Sequence, residues 1–283
     1  MSVSLSLIKD LREKTGAGMS DCKKALEESA GDIAKAIEYL RKKGAAMAAK
    51  RADKIAKEGA IKSAIHGDKS SAVIVEVNCE TDFVSKGDDF QNFVQGIADI
   101  ALENGTEDVA HLLTCKGKDG LTVQDTIDAM MGKVGEKIEF KRVKLVKIEG
   151  GFVANYIHFG SKIGGLVGMK GKYNEEVYDL GKKLAMQVVA MNPVSISREG
   201  VSAETIEKER EIYYVQARND KKPENIIDKI VQNKVEKYFQ ENCLLEQEFI
   251  QEAHKTVGDL LKDYTKKSGE HVEVTDMVRF QLG

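Results

Sequence analysis

Aromatic side chains make up only 6 % of the 283 residues, tryptophan is absent, and the formal net charge is −3 at neutral pH. Platforms for stacking bases and a global attraction to phosphate backbones are both missing, which argues against a nucleic-acid-binding protein. No apolar run approaches the roughly 18 residues that a membrane span requires. The stretch from Met1 to Ile8 is too short for a signal peptide before Lys9, Asp10 and Arg12 intervene. A cytoplasmic protein with no membrane partner is expected. The four cysteines, Cys22, Cys79, Cys115 and Cys243, form no C-x-x-C pair. They read as reduced, structural thiols, with neither a zinc site nor a disulfide framework indicated. The five histidines show no metal-ligand spacing, and no G-x-S-x-G, Walker or Rossmann fingerprint occurs. The glycines of Ile163-Gly-Gly-Leu-Val-Gly168 read as a permissive strand, because no lysine-serine pair or helix start follows at the distance a phosphate cradle needs. Neither a catalytic constellation nor a cofactor is expected, and an enzyme is disfavoured.

The length suffices for two or three modules, each with its own core. The first forty residues hold three amphipathic segments at helical spacing: Leu7, Ile8 and Leu11, then Cys22, Ala25 and Leu26, then Ile33, Ala36, Ile37 and Leu40. Thr15-Gly-Ala-Gly18 separates the first two, Ser20 is the cap expected for the second, and Gly31-Asp32 ends the second and caps the third. A three-helix module over 1–44 follows, and then a partly helical, solvated linker over 45–58, rich in Ala and Lys.

Beyond it lies a degenerate repeat. Ile61 to Val77 forms a hairpin turning near His66-Gly-Asp68, with a helix after it from Asp89 to Asn104. Phe152 to Met169 forms a second hairpin turning near Phe159-Gly-Ser161, with a helix carrying Val177, Leu180, Leu184, Val188 and Met191. Ile138 to Ile148 alternates apolar and charged residues as a further strand does. The expected fold class is α+β, with a duplicated core of antiparallel sheet plus helix over 59–140, and over 141–201 together with 240–283. From Ser202 to Phe239 the spacing is helical again and broken by Asn219-Asp-Lys-Lys-Pro223, an inserted helical hairpin. The polar stretch from Glu103 to Gln124 carries no clear pattern.

The richest local signal is the hand-off from the strand Ser71-Ala-Val-Ile-Val-Glu-Val77 to Asn78-Cys-Glu-Thr-Asp-Phe-Val84. Val73, Val75 and Val77 alternate with Ile74 and Glu76, a period that buries one face. Asp88 and Asp89 are the expected caps of the following helix. Thr81 to Val84 is thus a short connection between two packed elements, with Phe83 beside Glu80 and Asp82. Taken alone, Phe83 reads more readily as a core residue, since phenylalanine is usually buried. The two carboxylates lack the burial that would separate them into an acid and a base.

Leu11-Arg-Glu-Lys-Thr-Gly-Ala-Gly-Met-Ser-Asp-Cys-Lys-Lys-Ala-Leu26 and Glu76-Val-Asn-Cys-Glu-Thr-Asp-Phe-Val84 together resemble the elongation factor Ts family over nearly the whole chain. The resemblance implies a ubiquitin-associated-like (UBA-like) first module and a coiled-coil hairpin between 202 and 239. It also implies a function, nucleotide exchange on elongation factor Tu, with no nucleotide bound by the factor itself. Phe83 would be the wedge placed near the nucleotide's magnesium, Asp82 its polar neighbour, and Thr81 and Val84 the residues that set the corner. Arg12, Met19 and His158 match further partner contacts. Ser20 replaces a second methionine found in some members, the C-terminal helix of some relatives is expected to be absent, and Cys115 to Gln124 has no evident counterpart. Two other classes compete. Lys42, Lys43, Lys50, Arg51, Lys54 and Lys57 would serve a nucleic-acid-binding module, and a small-molecule enzyme would require a deep pocket lined by convergent polar groups.

Overall fold

In the computed structural model, residues 3–283 are described, so the first two positions of the N-terminal module lie outside it. Ser4 opens helix α1 (Leu5–Thr15) by accepting the Leu7 amide, and Gly16 closes it in the left-handed region at φ 65°. Helix α2 (Met19–Glu28) starts two residues earlier than the Ser20 cap would place it, with Gly18 at the cap position. Asp32 caps α3 (Ile33–Lys50) through the Lys35 amide. Ile8, Leu11, Cys22, Ala25, Leu26 and Ala36 form the buried core of this module.

Helix α3 does not stop near residue 44. It runs on through the first six residues of the expected linker to Lys50 and packs along α7 (Val123–Val134). Gly44 is the reason the two helices approach so closely, since a Cβ there would collide with the Asp128 carbonyl. The scarcity of large apolar side chains in 44–50 marks a small-residue helix contact, not a solvated tether.

Strands β1 (Glu58–Ile65), β2 (Ser71–Cys79) and β3 (Ile138–Lys147) form one antiparallel sheet in the order β1-β2-β3. Strands β4 (Gly151–Ile157), β5 (Ile163–Lys170) and β6 (Glu273–Gln281) form a second in the order β4-β5-β6. The duplication extends to a shared irregularity. The ladder shifts register between Glu76 and Val77 in the first sheet, leaving Lys141 as the extra residue, and between Gly168 and Met169 in the second, leaving Thr275. The expected boundary at 140/141 therefore falls inside β3, which belongs wholly to the first sheet.

The two sheets meet through Ile61, Ala72, Ile74, Val146, Ile148, Val153, Leu166 and Phe280. Helices α4 (Asp82–Ser85), α5 (Asp88–Asn104), α6 (Val109–Thr114) and α7 belong to the first half, and α8 (Glu175–Met191) and α11 (Val257–Ser268) cover the second. Strand β2 is consequently buried on both faces, not one, and even Glu76 is fully enclosed, paired with Lys141 and Arg142. The stretch read as patternless contains α6, capped by Asp108, and leads into α7 through a capping box of Thr122 and Asp125. Helices α9 (Ala203–Asn219) and α10 (Glu224–Asn242) form the inserted hairpin, with Ala217, Ile227 and Val231 between them. Helix α10 reaches three residues beyond the expected end at Phe239. No helix among the described residues is long and apolar enough to cross a membrane.

Candidate functional site

The chain leaves β2 at Cys79 and turns at Glu80. Thr81 then caps the one-turn helix α4, its hydroxyl accepting the Val84 amide at 3.4 Å. Within that turn Ser85 is buried and Val84 packs on the first core, which directs Phe83 outward at 87 % exposure. Asp88 and Asp89 lie in the first turn of α5, with Gly87 at the cap position in their place.

The corner is fastened from several sides. Both Glu80 carboxylate oxygens accept from Arg51 Nη1 (2.7 and 2.9 Å), and Oε1 also accepts the Lys137 amide at 2.6 Å. The Cys79 thiol donates to the Thr81 carbonyl at 3.2 Å, and Ser85 Oγ donates to the Asp82 carbonyl at 3.1 Å. Asp82 pairs with Lys86 at 2.6 Å. An exposed phenylalanine thus stands on backbone that is held in place, so its exposure does not arise from a loose loop.

His158 is exposed in the β4–β5 turn and bonds Tyr156 through Nδ1 at 3.0 Å. Its neighbour Phe159, expected only as a turn residue, is the more exposed phenylalanine at 97 %. A large apolar side chain at a hairpin tip was the available signal. One residue joins this turn to the corner: Gln91 donates to the Ser85 carbonyl at 2.5 Å and accepts from Ser161 Oγ at 3.1 Å. Ile61 N donates to the Ser161 carbonyl, and Lys162 pairs with Glu58, fixing the turn against β1.

Arg12 and Met19 are both exposed and flank the α1–α2 turn. Gly16, between them, lies against Lys133, which pairs with Asp89 at 2.7 Å. The first two turns of α5 therefore tie all three groups together, Asp89 reaching the Arg12–Met19 turn through Lys133 and Gln91 reaching both phenylalanine-bearing turns.

The family model described as Elongation factor TS matches residues 80–283. An elongation factor Ts of Prosthecochloris aestuarii is 49 % identical over 284 aligned positions, covering 99 % of each chain. That of Chlorobium phaeobacteroides is 47 % identical with the same coverage, and that of Clostridioides difficile is 45 % identical over all of this chain and 93 % of the relative.

The chain belongs to the elongation factor Ts family.

The role that comes with elongation factor Ts is nucleotide exchange on elongation factor Tu in protein biosynthesis. The electrostatics of the corner suit a contact surface of such a factor. The hydrogen bond from Lys86 holds the Asp82 carboxyl below its usual range, and the Lys137 amide together with Arg51 does the same for Glu80 despite opposing desolvation. Burial pushes the Cys79 thiol up to about 12, so it stays protonated as the donor to Thr81. Of the six basic residues put forward for nucleic acid, three face carboxylates, Lys42 on Glu38, Lys43 on Asp21 and Arg51 on Glu80. A cleft of about 340 Å³ between the first module and α7 lies beside Lys43 and Lys133, and both ammonium groups already face carboxylates.

Proposed function

We propose that this factor releases GDP from elongation factor Tu by presenting Phe83, on the Thr81–Val84 corner, to the GTPase domain near the nucleotide's magnesium. The observation that carries the reading is an almost fully exposed phenylalanine on anchored backbone. An exposed Phe is a liability for a free protein, whereas a pre-ordered aromatic binds at little entropic cost. Asp82 stays ionised beside it as the polar neighbour that helps displace the magnesium. Arg12, Met19 and His158 are the accompanying contacts, and Phe159 joins them because its turn is bonded to the corner through Gln91.

Magnitudes require this breadth. Burying one phenylalanine supplies about 2 to 3 kcal/mol, while a nanomolar nucleotide complex amounts to about 12 kcal/mol. The remainder must come from a wide interface that binds the distorted GTPase better than the GDP form. By linkage, GDP then weakens factor binding by the same ratio. In this reading, residues 1–44 are a UBA-like module, 59–140 and the flanking second half are core subdomains, and 202–239 with the adjoining residues to Asn242 is a coiled coil. The factor supplies protein surface and takes no nucleotide of its own.

Release of a fluorescent GDP analogue from elongation factor Tu, with and without the factor, tests the proposal. Strong acceleration that Phe83→Ala largely loses supports it. An intact protein that leaves the release rate unchanged overturns it.

A further inference from the structure

Helix α4 has four residues, too few to persist as an isolated turn. Its geometry, and with it the direction of Phe83, depends on the Thr81 cap. That cap is itself held by a side chain distant in sequence. Glu136 sits in the tight link between α7 and β3, directly after Gly135, which ends α7 in the left-handed region at φ 74°. Its Oε2 accepts the Thr81 amide at 3.0 Å, and its Oε1 accepts the Thr81 hydroxyl at 2.6 Å.

The two bonds have different consequences. The amide bond fixes the backbone where it leaves Glu80. The hydroxyl bond fixes the side chain and, because a carboxylate only accepts, commits the hydroxyl hydrogen to Glu136. The Oγ1 lone pairs are then left for the Val84 amide, the bond that closes α4. Both bonds to Glu136 are charge-assisted and so stronger than neutral ones.

We infer that Glu136 is a positioning residue for nucleotide exchange, acting through Thr81 to hold Phe83 in a single orientation before the partner arrives. The inference rests on the reading of Phe83 as the residue that acts on elongation factor Tu. Pre-ordering matters most for a contact made in the distorted state of the partner, so its loss lowers the maximal rate more than the apparent affinity.

The test titrates the factor against elongation factor Tu loaded with a fluorescent GDP analogue, for the wild type, Phe83→Ala, Glu136→Ala, Glu136→Gln and Thr81→Val. Glu136→Ala is expected to lower the maximal release rate about tenfold and to leave the half-saturating concentration within about threefold. Glutamine can rebuild both contacts, its Oε1 accepting the Thr81 amide and its Nε2 donating to Oγ1, so Glu136→Gln is expected to keep most of the rate. In the free protein, exchange of the Val84 amide with solvent should quicken about tenfold in Glu136→Ala.

A wild-type maximal rate in Glu136→Ala while Phe83→Ala is defective overturns the inference and leaves the exchange reading standing. So does a defect confined to the half-saturating concentration, which would make Glu136 an ordinary interface contact. If Glu136→Ala is less stable, the double variant with Thr81→Val decides. A double no slower than the slower single supports one pathway through Thr81, and independent losses that multiply overturn it. A wild type that fails to accelerate release overturns the exchange reading, and the inference with it.

Discussion

The two halves of the core share a sheet order and a bulge yet differ in how the middle strand reaches its helix. In the second half, β5 passes to α8 through Gly171–Asn174, where Asn174 caps the helix at once and Tyr173 leans on Phe152 with ring centroids 5.9 Å apart. In the first half the same connection is lengthened to Glu80–Gly87, and the added residues form α4, which holds Phe83 away from the core. The hairpin tips diverge in the opposite sense. His66 and Asp68 close the first with a polar contact of 2.7 Å, whereas the second carries Phe159 into solvent. Each half thus exposes one phenylalanine, at different connections, and Gln91 binds the two together. The common scaffold supplies rigidity and, in the mechanism proposed above, the connections supply the contact, the division expected when loops carry function on a duplicated frame.

Exchanging the aromatic in each strand-to-helix connection should break this comparison most sharply. Phe83→Ala is expected to slow factor-dependent release by about 30- to 160-fold, the rate equivalent of about 2 to 3 kcal/mol, with an unchanged melting temperature. Tyr173→Ala should do the reverse, lowering thermal stability by about 1 to 2 kcal/mol through its lost aromatic contacts while sparing exchange. Stopped-flow release and thermal unfolding on both variants decide the matter. A destabilised Phe83→Ala would place Phe83 in the core after all.

The first module provides the next test, because it joins the first half mainly through the packing of α3 on α7. Gly44→Ala forces α3 off the Asp128 carbonyl and should cost about 1 to 3 kcal/mol of stability by overpacking. With the Arg12–Met19 turn displaced, the half-saturating factor concentration should rise about tenfold while the maximal rate persists, since in the proposed mechanism the module contributes binding and not the wedge. A smaller effect is expected from Phe159→Ala, an increase of about three- to fivefold in that concentration with no loss of stability.

Much of this arrangement was legible in the sequence because it rests on local chemistry. The hairpins, the α5 and α8 stripes and the break at Pro223 follow from period and turn residues, and they sit where those residues place them. The extension of α3 was not legible, because Gly44 and Ala48 look like solvated linker until α7 supplies the surface they pack on. Helix α7 announces its start only through the capping-box pattern Thr122-Val-Gln-Asp125, because the residues before it are polar and carry no helical stripe. For the site, the motif marked Phe83 but could not reveal that Glu136, Gln91 and Arg51 hold it. Those partners are 53, 8 and 32 positions away from Phe83, and no periodicity links them.

The smallest expected effect is one of pH, and it separates the anchoring of the corner from its exposed wedge. The Lys137 amide and Arg51 lower the Glu80 pKa from its ordinary 4.5, so folding favours the deprotonated carboxylate. Its contribution is full above about pH 4.5 and is lost as the pH falls through the depressed value. Melting temperature followed from pH 7 to pH 3 should therefore hold nearly level at first and fall below pH 4.5. Glu80→Gln should show a shallower fall, by about 1 kcal/mol or less at its greatest, because the amide keeps a neutral acceptor for Lys137. Identical slopes in the two proteins would mean that Glu80 adds nothing to the fold. The corner would then rely more heavily on its other anchors, Glu136 and Gln91 among them, which would make the Glu136 variants more damaging.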